Sequence, residues 1–205
     1  MKTLFLSSLI LFCFIIAYNN RKHKRMEEKF QKDFWDREAR ANSTRKKSLA
    51  NLPYITIPFE TLPMETMKDN EKITELHDML KNLSEQPIVN FTGYSNTDLK
   101  LEYGTANITC LSEYDQSYTL LARTLQEWAE YLYEAGFTAD ARTVLEFAIS
   151  TRTDVSRSYY LLADIYDEEN EPEKKAALLE TAQSLKSAMK NAIVRTLQQS
   201  GPYSG

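Results

Sequence analysis

The side chains able to do chemistry are few and scattered along the chain. There are two histidines, His23 and His77, and two cysteines, Cys13 and Cys110. Neither pair has the spacing of a metal site, and no further ligand stands near them in sequence. The motifs G-x-S-x-G, G-x-x-x-x-G-K-[ST] and H-E-x-x-H are missing from the sequence. We therefore expect a protein that is not an enzyme and needs no metal or other cofactor.

Adjacent acids such as Asp167 and Glu168 are the remaining candidates for proton transfer. They fall at the predicted exposed end of a helix, where solvation is a sufficient explanation for them. No small-molecule substrate is evident, so the chemistry left to consider is that of binding.

Charge is unevenly distributed between the two parts of the chain. Residues 1–50 contain 12 Lys or Arg and 5 Asp or Glu, a balance of +7. Residues 51–205 contain 13 and 24, a balance of −11. Because an acidic body repels the phosphate backbone, we do not expect binding to nucleic acid.

An apolar stretch near the amino terminus predicts a membrane anchor. Residues 4–18 read LFLSSLILFCFIIAY, with no charge, Gly or Pro. As a helix they cover roughly 22 Å, and residues 1–3 extend this to roughly 27 Å, close to the ~30 Å hydrocarbon core. We therefore expect a transmembrane anchor over residues 1–20, in contact with the membrane via residues 4–18. A cleaved signal peptide is the alternative, although the stretch offers few small residues for cleavage.

Basic residues follow the apolar stretch, as Arg21-Lys22-His23-Lys24-Arg25. Because positive charge favours the cytoplasmic side, these residues predict a single-pass protein of the cell membrane, with its N-terminus outside and its body cytoplasmic. Residues 21–47 are then a basic, charged juxtamembrane helix. It lies along the bilayer surface or continues the anchor as a stalk.

Prolines separate this helix from the body of the protein. Pro53, Pro58 and Pro63 recur every five residues, and each disfavours a helical conformation at the residue before it. We expect residues 48–67 to be extended and to pack partly on the body, or alternatively to dock on a partner protein. A helical body follows over residues 68–200.

The body contains an internal repeat that superposes residues 125–148 on residues 159–182. Its spacing of large and small apolar residues predicts two pairs of packed helices, the last of which continues as one long helix through Leu197. Lys175 replaces the equivalent Ala141, which predicts that its helix is rotated by one position toward Ala176. The superposed pairs are Leu125 and Tyr159, Trp128 and Leu162, Ala129 and Ala163, Leu132 and Tyr166, Gly136 and Asn170, Leu145 and Leu179, and Ala148 and Ala182.

The period of this repeat, about 34 residues, resembles that of the tetratricopeptide repeat (TPR). The two motifs lie at residues 122–155 and 156–189. Residues 86–121, with Asn96-Thr97-Asp98-Leu99-Lys100 and Tyr114-Asp115-Gln116, also resemble small bacterial membrane-anchored TPR-like proteins of unknown activity. The resemblance implies an all-α fold. It consists of an N-terminal single transmembrane helix and a TPR-like α-helical repeat (α-solenoid) domain with a long C-terminal capping helix.

The resemblance also implies a binding groove lined by the first helix of each repeat. The Lys and Asn residues that form a carboxylate clamp in some TPR domains are missing at the matching positions. The face is acidic with two tyrosines, which favours a protein partner with a basic or neutral segment; the alternative is a merely solvated acidic surface. The implied protein-binding residues are Arg123, Gln126, Glu130, Tyr133, Arg157, Tyr160, Asp164 and Asp167, with Glu134 and Glu168 beside them.

Together these inferences predict a membrane-tethered TPR-like adaptor or scaffold that mediates protein–protein interaction on the cytoplasmic face. One alternative is a structural subunit packed permanently in a larger membrane complex, marked by an apolar surface patch around residues 54–62. The other is an extracytoplasmic TPR protein released after signal cleavage.

Overall fold

The structure is a computed structural model that describes the backbone of residues 2–199 and the side chains of residues 16 and 18–199. Over this part of the chain it contains eight α-helices, a 3-10 turn at Thr105–Asn107 and no strand, so the described chain is all-α as predicted. The helices are α1 Lys2–Ser43, α2 Glu71–Ser84, α3 Asn96–Tyr103, α4 Ile108–Glu134, α5 Thr138–Ser150, α6 Ser156–Glu168, α7 Pro172–Gln183 and α8 Lys190–Gln199.

The transmembrane prediction is wrong. No helix among the described residues is long and apolar enough to cross a membrane. This finding corrects both the transmembrane anchor of residues 1–20 and the single-pass membrane localisation. From residue 18 onward, α1 carries a dense set of charges, which hydrocarbon disfavours. Most side chains of the predicted membrane contact, residues 4–18, lie outside the described residues.

The chain divides into two compact units. The first comprises residues 1–47 and 96–107, and the second comprises residues 48–95 and 108–205. The charged segment predicted as a helix over residues 21–47 is the second half of α1, which ends at Ser43. α1, α3 and the 3-10 turn therefore belong to the first unit, and the other helices belong to the second.

Polar contacts tie the end of α1 to α3 and the 3-10 turn in the first unit. The Arg37 guanidinium pairs with the Asp98 carboxylate at 2.5 Å. Buried Asn107 donates from Nδ2 to the carbonyl oxygens of Tyr103 and Lys47, at 2.7 and 2.8 Å. One side chain thus joins the end of α3 to the chain that follows α1.

The second unit has a hydrophobic core built by α2, α4–α8 and the proline-containing segment before α2. Asn70 caps α2, because its side chain accepts a hydrogen bond from the Ile73 N–H at 3.2 Å. Trp128 on α4 is fully buried. The proline-containing segment was predicted as extended over residues 48–67, but it forms turns at residues 59–61 and 64–69. It adds the buried side chains of Ile57 and Leu62, so it packs inside its own unit.

The turns that follow α4 and α6 are built in the same way. Gly136 and Asn170 both adopt positive φ, +86° and +55°. In each turn the next backbone N–H donates to the carbonyl five residues back, at 2.9 and 2.8 Å. These hydrogen bonds satisfy carbonyls that a helix end leaves unpaired. The same helix-ending turn therefore occurs twice, at superposed positions of the two repeats.

The predicted long C-terminal capping helix is two helices. α7 ends at Gln183, and α8 begins at Lys190. Between them the Ser187 Oγ accepts a hydrogen bond from the Met189 N–H at 3.0 Å, a local bond that competes with the helical pattern. The shorter α8 still buries Ile193 in the core.

The rotation predicted for α7 is also wrong. Leu178 is buried at the position equivalent to Val144, whereas Ala176 is exposed. Lys175 fits without rotation because its side chain is only 15% exposed and its Nζ reaches the Asp167 carboxylate at 2.5 Å. A long aliphatic stem can cover the edge of a core while the amine keeps an ionic partner.

Candidate protein-binding groove

A cavity of about 350 Å³ is lined by residues of α4 and α6 and is called the acidic groove below. It contains three carboxylates, one guanidinium, two phenols and one aliphatic side chain. The lining residues are Glu130, Tyr133, Glu134, Arg157, Tyr160, Leu161 and Asp164.

Helix periodicity explains why these residues share one cavity. The lining residues of α4 occupy positions i, i+3 and i+4, and those of α6 occupy i, i+3, i+4 and i+7. Such spacings bring side chains onto one face of a helix. The other faces pack inward through Leu132 and Leu162, which are almost completely buried. Burial of the apolar faces therefore decides which side chains line the groove.

One ion pair and one hydrogen bond order the groove. Arg157 Nε lies 2.5 Å from Glu130 Oε1. The Arg157 side chain is 75% exposed, so this pair adds little stability and can exchange for another partner. The Tyr133 hydroxyl donates to Glu168 Oε1 at 2.8 Å, which raises the pKa of this phenol.

The Asp164 carboxylate lies close to other negative charges. Desolvation raises the pKa of its carboxyl, the nearby carboxylates of Asp167 and Glu168 raise it further, and Lys175 lowers it in part. Within the described part of the chain, Asp164 forms no ion pair of its own. A cation placed beside Asp164 would relieve this repulsion, so the groove is suited to a positively charged group.

The structure brings together five of the predicted binding residues, Glu130, Tyr133, Arg157, Tyr160 and Asp164. The other three are elsewhere. Arg123 is exposed on α4 but outside the groove lining. Gln126 is buried and accepts a hydrogen bond from the Ser158 hydroxyl, so it joins the two repeats instead of facing a ligand. Asp167 pairs with Lys175.

Leu161 lines the groove although sequence reasoning did not include it. It packs partly against the core and adds an apolar surface between the charged groups. The signal was available, because Leu161 follows Arg157 by four residues and so shares its helix face.

The described residues place no group of three or more His, Cys, Asp or Glu side chains where they could hold a metal ion. Comparisons of the chain with protein-family models, curated proteins and solved structures find no match. The TPR resemblance therefore stays a prediction from the sequence, and the role of the groove is a proposal.

Proposed function

We propose that this protein is a TPR-like adaptor that binds a basic or neutral segment of a partner protein in the acidic groove. The observation that supports this function most strongly is the position of Asp164. Asp164 is exposed on α6 beside two other carboxylates. Desolvation and the repulsion from these carboxylates raise its pKa, while Lys175 acts in the opposite direction. A Lys or Arg of a partner would supply the missing counter-charge.

The neutral lining supports a protein ligand over a simple cation. Tyr133, Tyr160 and Leu161 provide aromatic and aliphatic surface next to the acids. Tyrosine combines a large apolar ring with a polar tip, a combination that recurs at protein interfaces. A cavity of about 350 Å³ suits one or two side chains of an extended or helical segment.

The alternative of a structural subunit receives less support. It required an apolar surface patch around residues 54–62. Ile57 and Leu62 are buried in the core of the second unit, and Ile55 and Phe59 pack against that core. Most of the apolar surface of this stretch is therefore buried within its own unit, and Tyr54 is its one large apolar side chain that stays exposed.

Binding of defined peptides to the full chain tests the proposal. The probe is a short capped peptide of alternating Ala and Lys, and its partner probe replaces each Lys by Glu. We expect the Lys peptide to bind and the Glu peptide not to bind, as measured by fluorescence anisotropy. Asp164→Asn should weaken binding by about tenfold, because a charge-assisted hydrogen bond contributes about 1.5–3 kcal/mol.

Glu180→Gln is the matched control, because Glu180 is exposed on α7 and lies outside the groove lining. It removes the same charge and should leave the affinity unchanged. Tyr160→Ala should also weaken the Lys peptide through lost contact area. Equal affinity of both peptides, or equal losses in Asp164→Asn and Glu180→Gln, would contradict the proposed function.

A further inference from the structure

A second cavity, of about 400 Å³, is formed by three turns of the second unit and is called the basic cleft below. The turns are those before α3, between α5 and α6, and between α7 and α8. The lining residues are Pro53, Ile55, Asn90, Thr92, Tyr94, Ser150, Thr151, Arg152, Ser184, Leu185 and Lys186.

The basic cleft combines equivalent positions of the two repeats. Ser150 and Arg152 lie at the end of α5, and they superpose on Ser184 and Lys186 at the end of α7. The same pattern, Ser-x-cation, therefore occurs twice in sequence and meets in one cavity. The two copies touch, because the Arg152 guanidinium donates a hydrogen bond to the Ser184 hydroxyl.

Both charged residues of the lining are cations. Among the described residues, neither Arg152 nor Lys186 forms an ion pair. Asp154, the nearest acid along the chain, is outside the lining, and its carboxylate accepts a hydrogen bond from Ser187. Two cations without an ion pair that line one cavity are unexpected in residues 51–205, which carry an excess of 11 negative charges.

Arg152 is held in an unfavourable backbone conformation. Its φ is +62°, in the left-handed region that a residue with a side chain seldom adopts. Asn90 fixes this turn by donating from Nδ2 to the carbonyls of Thr151 and Arg152, at 2.9 and 3.0 Å. Backbone strain of this kind is common at functional positions, where a particular side chain is kept although its backbone conformation is unfavourable.

Apolar and aromatic side chains also line the basic cleft. The Lys186 Nζ lies 5.6 Å from the centre of the Tyr94 ring. Gly93 lets the chain come close to Lys186, because a Cβ there would lie 2.8 Å from the Lys186 Cβ. Pro53 and Ile55 also line the cavity, so it combines cations with apolar surface.

We propose that the basic cleft binds a small phosphate monoester with an apolar or aromatic body. A phosphate monoester carries about −1.5 to −2 charges near neutral pH, which matches two cations, whereas a monocarboxylate would leave one cation without a counter-charge. Guanidinium and ammonium groups are donors that phosphate oxygens accept from. The Ser150 and Ser184 hydroxyls already donate to the Phe147 and Thr181 carbonyls, so the phosphate is assigned to the two cations. The net negative charge of the body repels a polyanion. Salt screens charges that lie more than about 8 Å away, so the nearest side chains determine whether a single small anion binds.

Calorimetric titration of the full chain tests this site with three probes: phenyl phosphate, inorganic phosphate and benzoate. We expect phenyl phosphate to bind most tightly, because its ring adds contact with the apolar lining. Inorganic phosphate should bind more weakly and benzoate weakest of the three. Arg152→Gln and Lys186→Gln should each reduce the affinity for phenyl phosphate about tenfold.

Arg195→Gln is the matched control, because Arg195 is exposed on α8 and outside the cleft lining. It should leave the affinity unchanged. Arg152→Gly provides a variant that keeps the turn, since glycine adopts positive φ without strain. We expect its thermal midpoint to be unchanged or higher while the affinity for phenyl phosphate falls by the same factor as in Arg152→Gln.

Several results would overturn the proposal. They are the absence of binding by either phosphate at millimolar concentration, equal or tighter binding of benzoate, and an affinity that Arg152→Gly or Lys186→Gln leaves intact. A loss of equal size in Arg195→Gln would likewise overturn it, because that loss would report only the net charge of the protein.

Discussion

His77 on α2 and Trp128 on α4 meet edge to face in the core of the second unit, with ring centroids 4.7 Å apart. Both side chains are buried, and among the described residues neither the His77 Nε2 nor the Trp128 Nε1 has a hydrogen-bond partner. A buried ring of this kind is far more stable neutral than charged. The contact therefore depends on the protonation state of His77.

The first prediction is that acid destabilises the second unit through His77. Burial lowers the pKa of His77, and Lys81 lowers it further, while Asp78 and Glu65 act in the opposite direction. The unfolded chain takes up this proton near pH 6.5, and the folded chain takes it up only at lower pH. Stability is thus fully present above pH 6.5 and is lost as pH falls toward the folded pKa, by at most about 1.4 kcal/mol per pH unit.

Urea unfolding between about pH 7.5 and 5.5 measures this loss before most carboxyl groups titrate. Trp128 fluorescence reports on the second unit when Trp35 is replaced by Phe, since the chain has two tryptophans. His77→Phe keeps an aromatic ring beside Trp128 and should remove most of the slope. The same slope with and without His77 would show that another group titrates.

The second prediction compares two glycines with positive φ. A Cβ at Gly136 would meet no atom within 4 Å, so Gly136→Ala should cost only the left-handed conformation, about 1–2 kcal/mol. A Cβ at Gly93 would lie 2.8 Å from the Lys186 Cβ and 2.9 Å from the Lys186 carbonyl oxygen. Gly93→Ala should therefore cost about 1–3 kcal/mol more, as overpacking does. Equal urea midpoints for the two variants would be inconsistent with this contact.

The third prediction concerns the hydrogen bonds of Asn90. Its Nδ2 donates to two carbonyls of the turn after α5, and its Oδ1 accepts from the Thr92 N–H at 2.8 Å. Asn90→Ala leaves these partners unpaired and should lower the free energy of unfolding by about 1–3 kcal/mol. Asn82→Ala is the control, because Asn82 is exposed on α2 and its replacement by Ala should slightly stabilise the helix. A smaller loss in Asn90→Ala than in Asn82→Ala would refute the role of Asn90.

The fourth prediction applies to the first unit. Asn107 is 2% exposed and donates to the carbonyls of Lys47 and Tyr103. Asn107→Ala should loosen the hydrogen bond from the Lys47 N–H to the Tyr103 carbonyl, which is 3.0 Å long. Amide hydrogen exchange at Lys47 should become about tenfold faster or more, given the energy of a buried hydrogen bond. The exposed control Asn20→Ala in α1 should leave the rate unchanged.

Local patterns predicted much of the helical body. The second repeat was expected to begin at residue 156, where α6 begins, and Pro172 occupies the first turn of α7. A proline at the first helical turn and a period of three to four residues are encoded within one or two helical turns. Side-chain capping did not mark these starts, because α5, α6 and α7 begin without a side-chain cap. The first helix of the repeat pair was expected near residue 115 and begins at Ile108, because helix ends are weakly marked in sequence.

The candidate groove was predictable only in part. The TPR resemblance selected five residues that share the cavity, including Tyr133 and Tyr160. It could not assign Gln126, whose burial depends on the approach of Ser158 from the next repeat. The sequence also could not show that Lys175 pairs with Asp167. These outcomes depend on the packing of one helix against another, which the period of a single helix does not contain.

The sequence by itself determined the repeat that pairs Leu125 with Tyr159, the all-α class of the described chain and the acidic balance of residues 51–205. Only the tertiary structure decided that Arg152 and Lys186 share one cavity and that the last helix breaks in two. The physical reason is the range of the interactions. Helix propensity and charge are properties of short segments, whereas cavities and paired turns arise where distant segments compete for the same buried surface.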